Sequence, residues 1–136
     1  MSLIMWPLLD IGFVLFHTAL ILFNLLGWMI PRTRRLNLLT LVLTGSSWTL
    51  LGLFYGFGYC PLTDWHWQVL EKMGASSPHT SYIQYLIERT LGLQMRATAA
   101  DNLTLAAYLV SLACSVWVNV VKRKRKTPRK TVQDNL

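Results

Sequence analysis

Charged residues are too few in this chain to clothe a soluble fold. They make up 14% of it, against about a quarter in an ordinary soluble domain. Acidic residues are scarcer still, with six Asp and Glu against thirteen Lys and Arg. Cysteine is almost missing: Cys60 and Cys114 are the two present, which excludes a disulfide-stapled secreted domain. No Lys or Arg precedes Pro7, so the basic n-region of a secretory signal peptide is lacking. The apolar run that follows is also too long for a signal h-region. No internal repeat is visible, and 136 residues leave room for a single domain.

Apolar residues, by contrast, are abundant at 53%, and they fall into three runs. The first, 8–30, holds Asp10, His17 and Asn24 but is otherwise largely apolar. It exceeds the roughly 20 helical residues needed to cross a hydrocarbon core. Pro7 suits a first helical turn, Trp6 and Trp28 bracket the run as interfacial aromatics do, and Pro31 ends it. The second run, 36–59, is rich in Leu and Thr and then mixes glycine with aromatics. Its Gly52 and Gly56 form a small-xxx-small pair, expected to admit a neighbouring helix. The third run, 103–121, has Thr98 or Asp101 as a candidate cap and stops at Lys122. The expectation is an all-α membrane protein. It has three transmembrane helices in a domain over 1–121, followed by a basic, disordered tail over 122–136.

Between the second and third runs, residues 61–100 are too polar to span. Thr63 is a candidate cap for a short helix over 64–73, with Gly74 as its stop. Ser76, Ser77 and Pro78 make a break, and Thr80 or Ser81 can start a second helix through Leu91. Both helices are expected at the membrane surface or against the bundle. The short loop after the first run carries Arg32, Arg34 and Arg35, and seven basic residues lie within 122–130. Three spans allow both clusters to be cytoplasmic, with the N-terminus and residues 61–100 outside. Lys122, Arg123, Lys124, Arg125 and Lys126 can also meet anionic headgroups. Nucleic acid is a poorer partner for them, because no folded domain surrounds the tail.

Three constellations could carry chemistry. Asp10, His17 and Asn24 recur every seven residues and so share one helical stripe. Ionisable groups inside a span are costly and face a bundle interior or a cavity. The stripe therefore reads as helix–helix hydrogen bonding or, alternatively, as a transport path or a ligand position at His17. Thr104, Tyr108, Ser111, Ser115 and Asn119 form a second row on the third run, opposite Thr40, Thr44, Ser47 and Trp48 of the second. The stretch from Cys60 to Trp67 could bring Cys60 near His66 if the chain turns at Pro61. His66 and His79, with Asp64 or Glu71, match no strong zinc spacing. A Cys60–Cys114 disulfide is not expected, since Cys114 lies about 18 Å below the entry of the third run. No metal or cofactor is named by these patterns.

The His17-bearing first run, the glycine-aromatic exit of the second, and Cys60-Pro61-Leu62-Thr63 with Asp64-Trp65-His66-Trp67 resemble a family of small bacterial membrane proteins of unknown function. The resemblance runs from about Leu8 to Val121 and includes Ser81-Tyr82-Ile83. It implies a multi-span inner-membrane protein and no reaction. Asp64 directly follows the Thr, whereas family members carry an acidic residue a few positions later. The leading expectation is a non-catalytic accessory or scaffold subunit of a larger inner-membrane complex, or a small homo-oligomer. The alternative is a redox or metal site on Cys60, His66 and His17, or a small transporter built on the Asp10–His17–Asn24 stripe.

Overall fold

The computed structural model describes residues 2–75 and 79–125. Within them all regular structure is helical: α1 (Ser2–Leu26), α2 (Arg34–Ser46), α3 (Gly52–Tyr55), α4 (Pro61–Lys72), α5 (Tyr82–Leu91) and α6 (Ala97–Arg125). A π-helical turn, Ser47–Leu51, joins α2 to α3. Among the described residues, three segments are long and apolar enough to cross a membrane: Leu3–Met29, Arg34–Tyr55 and Ala97–Lys122. The chain is thus a multi-pass membrane protein with two shorter helices, α4 and α5, packed against the bundle.

The basic ends of the spans lie together. The last carbonyls of α1 have no partner within their own helix and must be satisfied locally. Asn37 donates to the carbonyls of Phe23 and Asn24 at 2.7 and 3.2 Å, Trp28 Nε1 to that of Leu25 at 2.7 Å, and Thr33 to that of Gly27 at 2.8 Å. Asn119 of α6 donates to the carbonyl of Arg34 at 3.0 Å, which ties the arginine turn to the end of the third span. Helix α6 runs past the expected stop at Lys122 to Arg125, because the basic residues there are good helix formers. Residues 126–136, most of the expected disordered tail, lie outside the described residues.

At the opposite end, several boundaries differ from the sequence reading. Helix α4 begins at Pro61 rather than at Asp64. Extended Cys60 precedes it, and proline fits the first turn without losing a hydrogen bond. Thr63 is therefore inside the first turn and is not the cap. Ser81 does cap α5, accepting from Gln84 N–H at 3.4 Å, and Gly92 closes it with a left-handed φ of 68°. Helix α6 starts at Ala97, so Thr98 and Asp101 lie inside it. Asp101 instead accepts from the Ser81 hydroxyl at 2.6 Å, stapling α5 to α6. The expected break at residues 76–78 lies outside the described residues.

The Gly52/Gly56 pair does not receive a second helix. Gly56 ends α3 at φ 108°, and a Cβ on Gly52 would lie 3.1 Å from Cα of Phe57, where the chain turns back on itself. That return is held by Ser47 Oγ donating to the Tyr59 carbonyl at 3.0 Å and by Gly58 N–H to the Trp48 carbonyl at 3.3 Å. Close helix approach falls to two other glycines. Gly27 faces Asn37, whose Nδ2 would sit 2.8 Å from an added Cβ, and Gly45 faces the Tyr108 hydroxyl. The absence of a Cβ at Gly45 lets Tyr108 of α6 reach the Leu41 carbonyl at 2.8 Å.

Candidate functional site

A charged network sits where α4 and α5 close over the first span. Asp10 lies seven residues beyond Leu3, about 10 Å along the helix axis. Its side chain is only 7% exposed. A carboxylate there needs compensation, since an isolated buried charge is prohibitively costly. Arg89 of α5 supplies it with a two-pronged pair, Nη1 to Oδ1 at 2.6 Å and Nη2 to Oδ2 at 2.7 Å. His66 of α4 adds a third contact, Nε2 to Oδ1 at 2.8 Å.

This geometry fixes one end of the imidazole. A carboxylate held by a guanidinium can only accept, so His66 Nε2 carries a proton and donates. In the neutral imidazole, Nδ1 accepts from the Tyr82 hydroxyl at 2.5 Å. His66 is wholly buried; Phe13 stacks on its ring, with centroids 5.4 Å apart. Both imidazole nitrogens are thus engaged, leaving neither to activate Cys60. Burial raises the Tyr82 phenol above its usual range, and its neighbour Tyr85 adds to the effect. The Asp10 carboxylate, above all, raises Arg89, which remains a cation. Arg89 also donates to the Tyr85 hydroxyl at 2.5 Å.

The Asp10–His17–Asn24 stripe is divided among three surroundings. Asp10 belongs to the charged network. His17, buried like Asp10, lies against Tyr82 with ring centroids 4.5 Å apart, and its Nδ1 has no hydrogen-bond partner. Asn24 serves the α1–α2 contact, where Thr40 donates to its Oδ1 at 2.7 Å and its Nδ2 donates to Thr44 at 3.2 Å. Cys60 and Cys114 are free thiols. Asp64 accepts from Gln68 at 3.0 Å, and His79 pairs with Glu88 at 2.5 Å, so neither joins His66. Among the described residues, no group of three His, Cys, Asp or Glu is placed to hold a metal. Lys122 is exposed at the basic end.

Sequence reading missed Arg89, Tyr82 and Tyr85 as site residues. Two signals pointed to them. Their spacing of three and four puts them on one face of α5, and an aspartate inside a span needs a cation from somewhere.

The sequence profile of a family described as "Protein of Unknown function (DUF2784)" matches residues 7–121. Neither the curated proteins nor the solved structures contain a match to this chain.

Proposed function

We propose that this chain, which belongs to the DUF2784 family, is a non-catalytic membrane subunit or scaffold that presents its α4–α5 platform to other membrane chains. One observation carries this reading. The strongest polar groups within the membrane portion are consumed in fastening that platform: Asp10 is held by Arg89 and His66, and His66 by Tyr82. A site built for turnover keeps a reactive atom open to its substrate, and here the reactive atoms face each other. The second span supports the same reading, since only 6% of its apolar window is buried within the chain. A bacterial inner membrane, with the platform outside and both termini placed accordingly, fits the clustering of basic residues at the other end.

Native mass spectrometry of protein extracted gently from its own membrane tests this. The expected result is co-purifying membrane chains that are lost from the Asp10→Asn variant. A bare monomer carrying a stoichiometric small molecule would overturn the proposal. That second outcome would favour an active protein centred on His17, whose buried Nδ1 has no partner. In that case His17→Ala would abolish activity while leaving assembly intact.

A further inference from the structure

The corner where α5 meets α6 adjoins the start of the third membrane-spanning segment. Arg96 immediately precedes the span Ala97–Lys122, so its side chain begins where that span enters the bilayer. The apolar residues around this corner are bare, with Leu91 68% and Leu93 59% exposed, as acyl-chain contacts would be.

An open groove of about 490 Å³ lies here, lined by Gln84, Glu88, Gln94, Met95 and Arg96. Gln84 Nε2 donates to the Met95 carbonyl at 2.9 Å and fixes one wall. Two opposite charges face the opening. Arg96 is exposed and, among the described residues, has no ion pair. Glu88 gives one carboxylate oxygen, Oε2, to His79, and its Oε1 can accept from a further donor.

We propose that this groove binds the headgroup of a zwitterionic phospholipid. Its phosphate lies on the Arg96 guanidinium and its ammonium on Glu88, and its acyl chains run past Leu91 and Leu93. Guanidinium suits phosphate because its planar fork donates in pairs. A groove with one cation and one carboxylate favours a headgroup that adds a cation to its phosphate over one, such as phosphatidylglycerol, whose phosphate is its only charge and which leaves Glu88 without a counter-charge. A primary ammonium fits that role better than a quaternary one, since it can donate hydrogen bonds to Oε1.

The test is native mass spectrometry of the whole chain in micelles containing phosphatidylethanolamine, phosphatidylcholine or phosphatidylglycerol. One phosphatidylethanolamine should be retained at collision energies that strip the other two lipids. Arg96→Gln should lower that retention at least 5-fold, whereas Lys72→Gln, at another exposed cation, should leave it unchanged. Glu88→Gln should erase the preference for phosphatidylethanolamine over phosphatidylglycerol. Melting curves of each variant establish that it is folded. Equal retention of phosphatidylglycerol, or retention unaffected by Arg96→Gln in the folded variant, overturns the assignment. Displacement by soluble phosphoethanolamine at matched concentration would also overturn it, because the ligand would then be a free zwitterion and not a lipid.

Discussion

The two ends of the bundle are held together in different ways. At the Asp10 end the contacts are charged, buried and remote in sequence: Asp10 meets His66 and Arg89 across separations of 56 and 79 residues. At the basic end they are mostly neutral and between adjacent helices, with Asn24, Thr40 and Thr44 bonding across separations of 16 and 20. The difference matters because the penalties for losing a partner differ. A neutral side chain deprived of one hydrogen bond in a membrane loses about 0.6 kcal/mol on average. A buried charge deprived of its counter-charge loses several times that. The Asp10 end is thus all-or-none, while the basic end fails gradually.

The sharpest way to break this contrast is to remove Arg89. Arg89→Ala leaves the Asp10 carboxylate buried with His66 as its remaining partner. The expected cost is about 3 kcal/mol, toward the lower end for a broken buried pair, because a third of the Arg89 side chain reaches solvent. Unfolding in mixed micelles by titration with denaturing detergent measures it. The asymmetric control is Asp10→Asn, which should cost less, since Arg89 can turn its head outward to water. Equal costs for the two variants would mean that the burial of Asp10 is not what sets the penalty.

Gly45→Ala comes next, at about 1–3 kcal/mol as an overpacked contact. The new methyl would occupy the place of the Tyr108 hydroxyl and push it off the Leu41 carbonyl. Gly45→Ala combined with Tyr108→Phe should recover part of the loss, because the shorter ring leaves room for the methyl. If the double variant is no more stable than Gly45→Ala alone, the hydroxyl is not the clashing group.

Tyr82→Phe should cost about 1–2 kcal/mol, for it leaves His66 Nδ1 without its donor in a buried setting. It also changes the response to alkali. With the Tyr82 phenol raised in the folded state, the unfolded chain ionises first, near pH 10. Above that pH the unfolded state binds fewer protons than the folded one, so stability falls as pH rises. That contribution is fully present below about pH 10. The wild type should therefore lose stability as pH rises above about 10, at up to about 1.4 kcal/mol per pH unit for this group. Tyr82→Phe should lose correspondingly less, read from unfolding curves across that range.

The halves of the molecule also differ in how far the sequence revealed them. The three spans were legible because apolar length is a local property, and the Ser81 start of α5 was legible because a cap acts within one turn. Asp10 and His66 each stood out, one as an aspartate inside a span and the other beside Cys60-Pro61. Their partnership did not, since periodicity carries no information about contacts 56 residues apart. Asp10, His17 and Asn24 illustrate the limit well. Their seven-residue spacing placed them on one stripe, yet α4 and α5 meet it at Asp10, α5 at His17 and α2 at Asn24. Gly52 and Gly56 fit a packing motif by spacing alone, and the chain reversal at Phe57 occupies the place where a second helix would lie. Gly27 and Gly45, with no motif around them, make the close approaches.

Asn24 provides the smallest effect and the most direct comparison of the two ends. It joins α1 to α2 through Thr40 and Thr44, and its loss leaves those hydroxyls with other acceptors. Thr40 also donates to the Asn37 carbonyl at 2.9 Å, and Thr44 to the Thr40 carbonyl at 2.8 Å. Asn24→Leu, close in volume, should therefore cost about 0.6 kcal/mol, and its effect should add to that of Arg89→Ala, since the two positions share no partner. The double variant, unfolded in the same mixed micelles, decides the matter. A summed loss within about 0.5 kcal/mol keeps the two ends independent. A markedly larger or smaller sum would show that the Asp10 lock sets the α1–α2 contact at the far end, and the bundle would then behave as one cooperative unit along the whole of α1.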